Sequence, residues 1–242
     1  MEKNDLIVHL ENITFSYPGC KPILEKLNLR FFKKERIGLM GPNGSGKTTL
    51  FHIIMGLLKP SAGKIEIFNT PAESETDFRN VREKIGLLFQ DADDQLFSPT
   101  VLEDVAFGPL NLGKTKDDAM KIARNTLSFL GLNDFENRIT YKLSGGEKRL
   151  VSLATVLAME PEALLLDEPT NGLDDKTRLT LKRVLSNLDL SFIIISHDID
   201  FLHEITDSIY TLEKGKILFD QEVHVHQHIH AHPHGAYTHE HK

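Results

Sequence analysis

The run ERIGLMGPNGSGKTTLFHIIMGLL, Glu35 to Leu58, sets an apolar strand-like segment directly before the glycine-rich stretch Gly41 to Thr49 and a helix-like segment directly after it. The middle satisfies G-x-x-x-x-G-K-[ST], and strand, loop, helix is the setting in which that pattern cradles phosphate. Gly41, Gly44 and Gly46, with Pro42, Asn43 and Ser45 between them, let main-chain N–H groups close around an anion at the positive end of the following helix. Lys47 adds a full charge for the terminal phosphates, and Thr48, followed by Thr49, offers a hydroxyl to magnesium. A glycine-rich turn with an incidental lysine is the bland alternative, and the flanking segments argue against it. The expectation is a nucleotide-binding phosphate loop.

Working outward, apolar runs alternate with amphipathic stretches. Strands are expected at Ile7 to Leu10, Leu27 to Phe32, Ile37 to Met40, Ile65 to Phe68, Ile85 to Phe89, Leu164 to Leu166 and Phe192 to Ile195. The last two are apolar throughout, as buried parallel strands tend to be, which predicts an α/β core. From about residue 91 to 145 the strand pattern stops and helical spacing takes over, for example over Asp117 to Leu130, so an inserted helical subdomain is expected there. After Phe219 the apolar periodicity is lost, and residues 220–242 read as a flexible tail.

Two further stretches carry chemistry. ALLLDEPT delivers Asp167 and Glu168 to the carboxyl end of a strand, the edge at which α/β sheets hold ligands. Asp167 is placed to hold magnesium and Glu168 to orient an attacking water, whereas two solvated or capping carboxylates are the plain alternative. LSGGEKRL, Leu143 to Leu150, opens a helix with Ser144, Gly145, Gly146 and Glu147, a second anion-receptive helix end that has no lysine of the phosphate-loop kind. The two ends could serve two nucleotides, or one nucleotide could be shared between two copies of the chain.

Composition sets bounds on these readings. The 242 residues are 40% hydrophobic and 26% charged, as in ordinary globular proteins, and the formal net charge of -7 speaks against a nucleic-acid partner. Cys20 is the single cysteine, so no internal disulfide is expected, in line with a reducing compartment. MEKNDLIVHL lacks the pattern of a secretory signal, and no run approaches the roughly 20 apolar residues that span a bilayer. Any membrane role is therefore expected to come through another chain.

Over nearly all of Met1 to Phe219 the sequence resembles the ATP-binding-cassette ATPases, through GPNGSGKTT, LLFQ, LSGGE, LLLDEPTNGLD and IIISHD in the family's order and spacing. The resemblance implies a P-loop NTPase core, with a mixed sheet flanked by helices and an antiparallel β subdomain, plus the inserted helical subdomain. It implies a head-to-tail dimer with a second copy closing over two ATPs and magnesium, so that Ser144 to Glu147 act across the interface. It also implies roles for Tyr17 as the aromatic stacking on adenine, Gln90 as a magnesium-touching switch, Asp174 as a loop across the interface, and His197 as the γ-phosphate sensor. Taken singly, Tyr17 could anchor a turn, His197 could be a bonded strand-end histidine, and Gln90 could simply end a strand.

FQDADDQLFSPTVLEDVAFGPLNLG, Phe89 to Gly113, is similar to the ATPases of energy-coupling-factor importers of vitamins or of nickel and cobalt, although Ala92 stands where proline is usual. In LSGGE, Glu147 replaces the glutamine of many signature motifs, though both occur. That likeness implies a transmembrane scaffold subunit and a substrate-binding membrane subunit as partners, and a peripheral place on the cytoplasmic side of the cell membrane. Asp93, Asp94, Glu103 and Asp104, over a floor of Phe97 and Phe107, are candidates to receive scaffold arginines.

The end of the chain carries His224, His226, His228, His230, His232 and His234 at alternate positions. Such a ladder suits nickel, cobalt, copper or zinc without choosing among them. Nickel or cobalt import, with the tail as a metal buffer or sensor, is the expectation. A vitamin importer with an incidental tail, a soluble cassette acting on DNA or ribosomes, and a nucleotide-switched metal store are its rivals.

Overall fold

The computed structural model describes residues 5–219, so the histidine ladder lies outside the described residues. Strand β1 (Leu6–Phe15) pairs antiparallel with β2 (Leu24–Phe32) and with β4 (Ala62–Ile67), and β4 carries the short β5 (Thr70–Pro71) on its other edge. The second sheet has six strands in the order β10 (Lys216–Phe219), β9 (Ser208–Glu213), β3 (Arg36–Met40), β8 (Ser191–Ile195), β7 (Ala163–Asp167), β6 (Ile85–Leu88). Neighbours from β9 to β6 run parallel and β10 turns back antiparallel, so the sheet is mixed. This is the expected α/β architecture, a mixed sheet with helices and an antiparallel β unit.

Period-two alternation divides the large sheet between two apolar layers. Ile37, Leu39, Leu165, Ile193 and Ile195 face the antiparallel sheet and helix α1 (Lys47–Ile54), which buries Leu50, Phe51, Ile53 and Ile54 in the same layer. Leu164, Leu166, Phe192 and Ile194 face the other way. There they meet α5 (Gly145–Leu157), α6 (Asp175–Asn187) and α7 (Ile199–Ile205), while α2 (Glu75–Lys84) packs on the first layer through Phe78 and Val81. Helices α3 (Val101–Asn111) and α4 (Lys116–Phe129) lie in the stretch expected to be helical, and their buried Val105, Ala119, Ala123 and Leu127 join the core beneath α5.

Several boundaries differ from expectation for identifiable reasons. The helix read through TLFHIIMGLL stops at Ile54, because Gly56 adopts a left-handed φ of 69° under the Phe78 ring. Phe68, read as strand, sits at φ 50° in the turn to β5, and Phe89 leaves β6. Strands β9 and β10 had no sequence expectation: β9 is only half-buried, and its existence depends on pairing in parallel with β3.

Helix α5 comes unusually close to β6. A Cβ on Gly86 would lie 2.2 Å from Val156 Cγ1 and 3.0 Å from Leu164 Cδ2. Gly86→Ala is therefore expected to destabilise the fold by about 1–3 kcal/mol through overpacking, read as a lower urea midpoint at unchanged m-value.

Candidate nucleotide site

Helix α1 begins in a way that no other described α-helix does. Helices α2 to α7 start with Ser74, Thr100, Thr115, Ser144, Asp174 and Asp198, whose side chains each accept an N–H of their own first turn. In contrast α1 starts at Gly46, has no side-chain cap and carries no acidic residue in its first turn. Its orphan N–H groups and positive end are left for an external anion. The loop geometry enforces this, since Gly46 sits at φ 102° with Leu24 Cδ2 2.9 Å from where a Cβ would be. Lys47 is buried, and its Nζ donates to the carbonyls of Gly41 at 2.8 Å and Pro42 at 3.2 Å. Burial pushes the ammonium pKa down, against the pull of Glu168 and Asp167.

A cavity of about 670 Å³ opens over this helix end, lined by Asn43, Gly44, Gly46, Lys47, Thr48, Thr49, Gln90, Asp167, Glu168 and His197. The parallel register explains why residues so distant in sequence meet. Leu39 of β3 stands beside Ile195 of β8, Ile195 beside Asp167 of β7, and Leu166 beside Leu88 of β6. One or two residues beyond that row lie Gly41, His197, Glu168 and Gln90. Glu168 holds a left-handed φ of 46°, an uncommon conformation for a non-glycine residue, and its N–H donates to Ile195 O at 3.0 Å.

The carboxylates are unsatisfied. Burial raises the Asp167 carboxyl, opposed first by a hydrogen bond from Thr48 and then by His52, Lys47 and Arg149. Burial also raises Glu168, opposed by His197 and Lys47. His197 Nε2 lies 3.3 Å from Glu168 Oε1, an ion-pair distance whose angles still leave that oxygen without a hydrogen bond. Asp167 Oδ1, Glu168 Oε1 and Ser45 Oγ are all buried without a hydrogen-bond partner. Such atoms are rare in folded proteins, and three of them gathered around one cavity fit a polar ligand there. A hard divalent cation fits the donor set, an unpartnered carboxylate oxygen on Asp167 beside the Thr48 hydroxyl and Gln90.

Other expected residues are placed elsewhere. Tyr17 is outside the cavity lining, donating to or accepting from Thr49 Oγ1 at 3.2 Å and meeting Phe15 edge-on at 5.0 Å. Ser144, Gly146, Glu147 and Asp174 do not line the cavity of their own chain, and Gly145 lines a neighbouring one with Gln90 and Arg149. Ser144 and Glu147 are also less open than expected, because they form a reciprocal cap that uses both N–H groups, with Arg138 pairing to Glu147 at 2.8 Å. Asp174 caps α6 through the Thr177 N–H at 2.9 Å.

Of the four expected docking acids, Asp104 is buried and accepts the N–H groups of Phe97 and Ser98, Glu103 closes the cap at Thr100, and Asp93 pairs with Lys148 at 2.5 Å. Asp94 lines a groove of about 330 Å³ with Phe97 and Phe107, whose rings meet edge-on at 4.7 Å. Lining residues to which the sequence reading gave no individual role are Ile23, Thr170, Asn171, Gly172, Ser196 and Asp198. All but Ile23 lie in the quoted runs LLLDEPTNGLD and IIISHD, just past the ends of β7 and β8, which is the signal that points to them.

Burying an ionised Asp167 costs stability. Its folded pKa is raised, so folding takes up a proton, and that penalty is fully present above the folded pKa and fades as pH falls toward the ordinary carboxylate range. Asp167→Asn is expected to raise the melting temperature of the nucleotide-free protein near neutral pH by about 2–4 °C, with the gain shrinking on acidification. Calorimetry showing a lower melting temperature would mean that Lys47, His52 and Arg149 already compensate the charge.

Comparison with known proteins converges on one family. Residues 24–171 match the family model described as ABC transporter. A putative ABC transporter ATP-binding protein of Nitratidesulfovibrio vulgaris is 50% identical over 237 residues, covering 97% of this chain and 86% of its own. The energy-coupling factor transporter ATP-binding protein EcfA of Methanothermobacter thermautotrophicus is 40% identical over 216 residues, 88% of this chain and 70% of its own. Among solved structures, cbiO1 from Clostridium perfringens, part of the ABC transporter complex cbiONQ, superposes with a TM-score of 0.80 at 36% identity, covering 89% of this chain and 88% of its own. The dimeric post-hydrolysis state of the ATP-binding cassette MJ0796, bound to ADP and Pi, superposes with a TM-score of 0.79 at 30% identity, covering 87% and 96%. With the phosphate loop, Gln90, the Ser144 helix start and the Asp167–Glu168 pair all inside the matched span, this chain belongs to the ABC transporter family, as one of its ATP-binding subunits.

Proposed function

We propose that this chain is the ATP-hydrolysing subunit of an energy-coupling-factor importer that moves nickel or cobalt. The observation that carries the hydrolytic half is the pair of unpartnered buried oxygens on Asp167 and Glu168, held in one cavity with Lys47, Thr48 and the uncapped start of α1. Lys47 leaves the Gly41 and Pro42 carbonyls to neutralise phosphate oxygens, and the loop N–H groups from Gly41 to Thr49 orient the triphosphate. Bound magnesium, held by Thr48, Asp167 and Gln90, supplies charge neutralisation on the phosphates. Glu168 orients the attacking water and accepts its proton as the γ-phosphorus to bridging-oxygen bond breaks, releasing ADP and phosphate. His197, beside Glu168, senses the γ-phosphate, and Tyr17 turns from Thr49 to stack on adenine.

A second copy supplies Ser144, Gly145, Gly146, Glu147 and Asp174, which do not line the cavity of their own chain. The dimeric form of the related cassette bound to ADP and Pi supports that arrangement. The groove with Phe97, Phe107 and Asp94 is the seat for a transmembrane scaffold subunit, which in turn holds a substrate-binding membrane subunit. No described helix is long and apolar enough to cross a membrane. The proposed scaffold partnership is what places this chain peripherally on the cytoplasmic side.

The metal reading rests on the histidine ladder His224 to His234. Residues 1–219 are 219 of 242, so a relative matching 97% of the chain extends into that ladder's segment. A match of that reach speaks against an appended purification tag. Neutral imidazoles bind nickel and cobalt alike, which leaves the choice of ion to the membrane subunits.

Glu168→Gln is expected to keep ATP binding, trap the closed dimer and slow hydrolysis by orders of magnitude in a single-turnover assay. Rapid turnover would move the water-orienting role to another residue. Labelled nickel and cobalt uptake is expected to be lost in Lys47→Ala, with labelled vitamin uptake unaffected. Deleting residues 223–242 is expected to leave ATPase activity intact and alter metal retention. Lost vitamin uptake with unchanged metal uptake would assign the vitamin substrate instead.

A further inference from the structure

Arg149 lies in the second turn of α5 and is 6% exposed, with no carboxylate bonded to it among the described residues. Its guanidinium instead spans two consecutive main-chain carbonyls. Nη1 donates to Phe89 O at 2.6 Å, and Nη2 donates to Gln90 O. The same short segment is fastened to α5 at two other points. Gln95 Oε1 accepts the Phe89 N–H at 3.3 Å, while its Nε2 donates to Ser152 O and Thr155 Oγ1, each at 2.9 Å. Lys148 pairs with Asp93 at 2.5 Å. Strand β6 has already ended at Leu88, so the backbone carrying Gln90 is anchored to α5 as well as to the sheet, while the Gln90 side chain stays exposed in the cavity.

We propose that Arg149 is the positioning residue for Gln90: its planar fork holds the backbone of Phe89 and Gln90 so that the exposed amide meets the magnesium site, and so that α5 and the Gln90 segment shift together. The fork shape matters because two adjacent carbonyls need two fixed, divergent donors, which a lysine ammonium does not offer. Burial lowers the Arg149 pKa, against Asp91, Asp167 and Glu168, yet the carbonyl geometry alone defines the role. Because α5 begins at Ser144 and Gly145, the expected contact surface of a second copy, the tie also links closure at that helix start to the position of Gln90. The proposal rests on the ATPase reading above.

The test uses the full chain with Arg149→Met, Arg149→Lys, Gln90→Ala and the double variant Gln90→Ala with Arg149→Met. Arg149→Met is expected to lower kcat about ten- to a hundredfold and to raise the magnesium concentration needed for half-maximal turnover, with magnesium-free ATP affinity unchanged. Arg149→Lys should recover only part of that loss, and the double variant should be no worse than Gln90→Ala alone. Additive losses, or full activity in Arg149→Met, overturn the role. Hydrogen exchange reads the same tie without turnover: amides of residues 89–95 should exchange faster in Arg149→Met while residues 145–157 keep their protection. Unchanged exchange in 89–95, or loss across both segments, overturns it as well. A wild-type chain without magnesium-dependent hydrolysis sinks the ATPase reading alone, and the exchange result still decides the fate of Arg149.

Discussion

The site depends on the in-register parallel alignment of four neighbouring strands. With β3, β8, β7 and β6 side by side, Leu39, Ile195 and Asp167 form one transverse row, and the chain leaves all four strands at the same edge. The row is held by main-chain hydrogen bonds and by apolar side chains on both faces, so its position is far stiffer than that of any loop. Slipping one strand by a residue would exchange its two buried faces, for example Ile193 with Ile194, and carry a reactive side chain about 3.3 Å out of line. Chemistry at the edge is thus precise because the strands behind it are apolar and fully buried.

Against that rigid frame, the site itself withholds local satisfaction. Six helices close their own N-termini with a side chain, and α1 does not. Asp167 and Glu168 are kept away from water with an oxygen each unpaired, and Glu168 holds a strained backbone angle. Each of these features lowers the stability of the nucleotide-free chain. Together they raise the affinity for a ligand that brings negative phosphates and a cation, since a partner then replaces what folding left open. Lys47 rests likewise on two loop carbonyls, neutral acceptors that leave its charge uncompensated.

Helix α5 connects this site to the rest of the molecule. Its start is the glycine-rich turn at Ser144, its second turn holds the Gln90 backbone through Arg149, and its later turns press on β6 where Gly86 leaves room for Val156. The helix also forms the layer on which α3 and α4 rest, so the groove at Phe97 and Phe107 shares its foundation with the nucleotide cavity.

The sequence by itself determined the phosphate loop, the strand-borne Asp167 and Glu168, the helical stretch between the two halves of the core, and the family. These are local patterns, in which residue type and spacing along a few consecutive positions already imply the chemistry. The roles expected of Gln90, His197 and Tyr17 came only through the resemblance, because a glutamine, a histidine or a tyrosine after a strand has many plainer uses. The tertiary structure alone decided what depends on segments far apart in the chain. Strand β9 exists because β3 offers an edge and β10 because β9 does, and Ile23 reaches the cavity because Glu25 N–H bonds to Gly215 O and fixes β2 beside the second sheet. Glu103 closes a helix cap, Asp104 accepts two loop N–H groups, and Arg149 is drawn to carbonyls, since buried polar groups take the partners that three-dimensional packing places within reach.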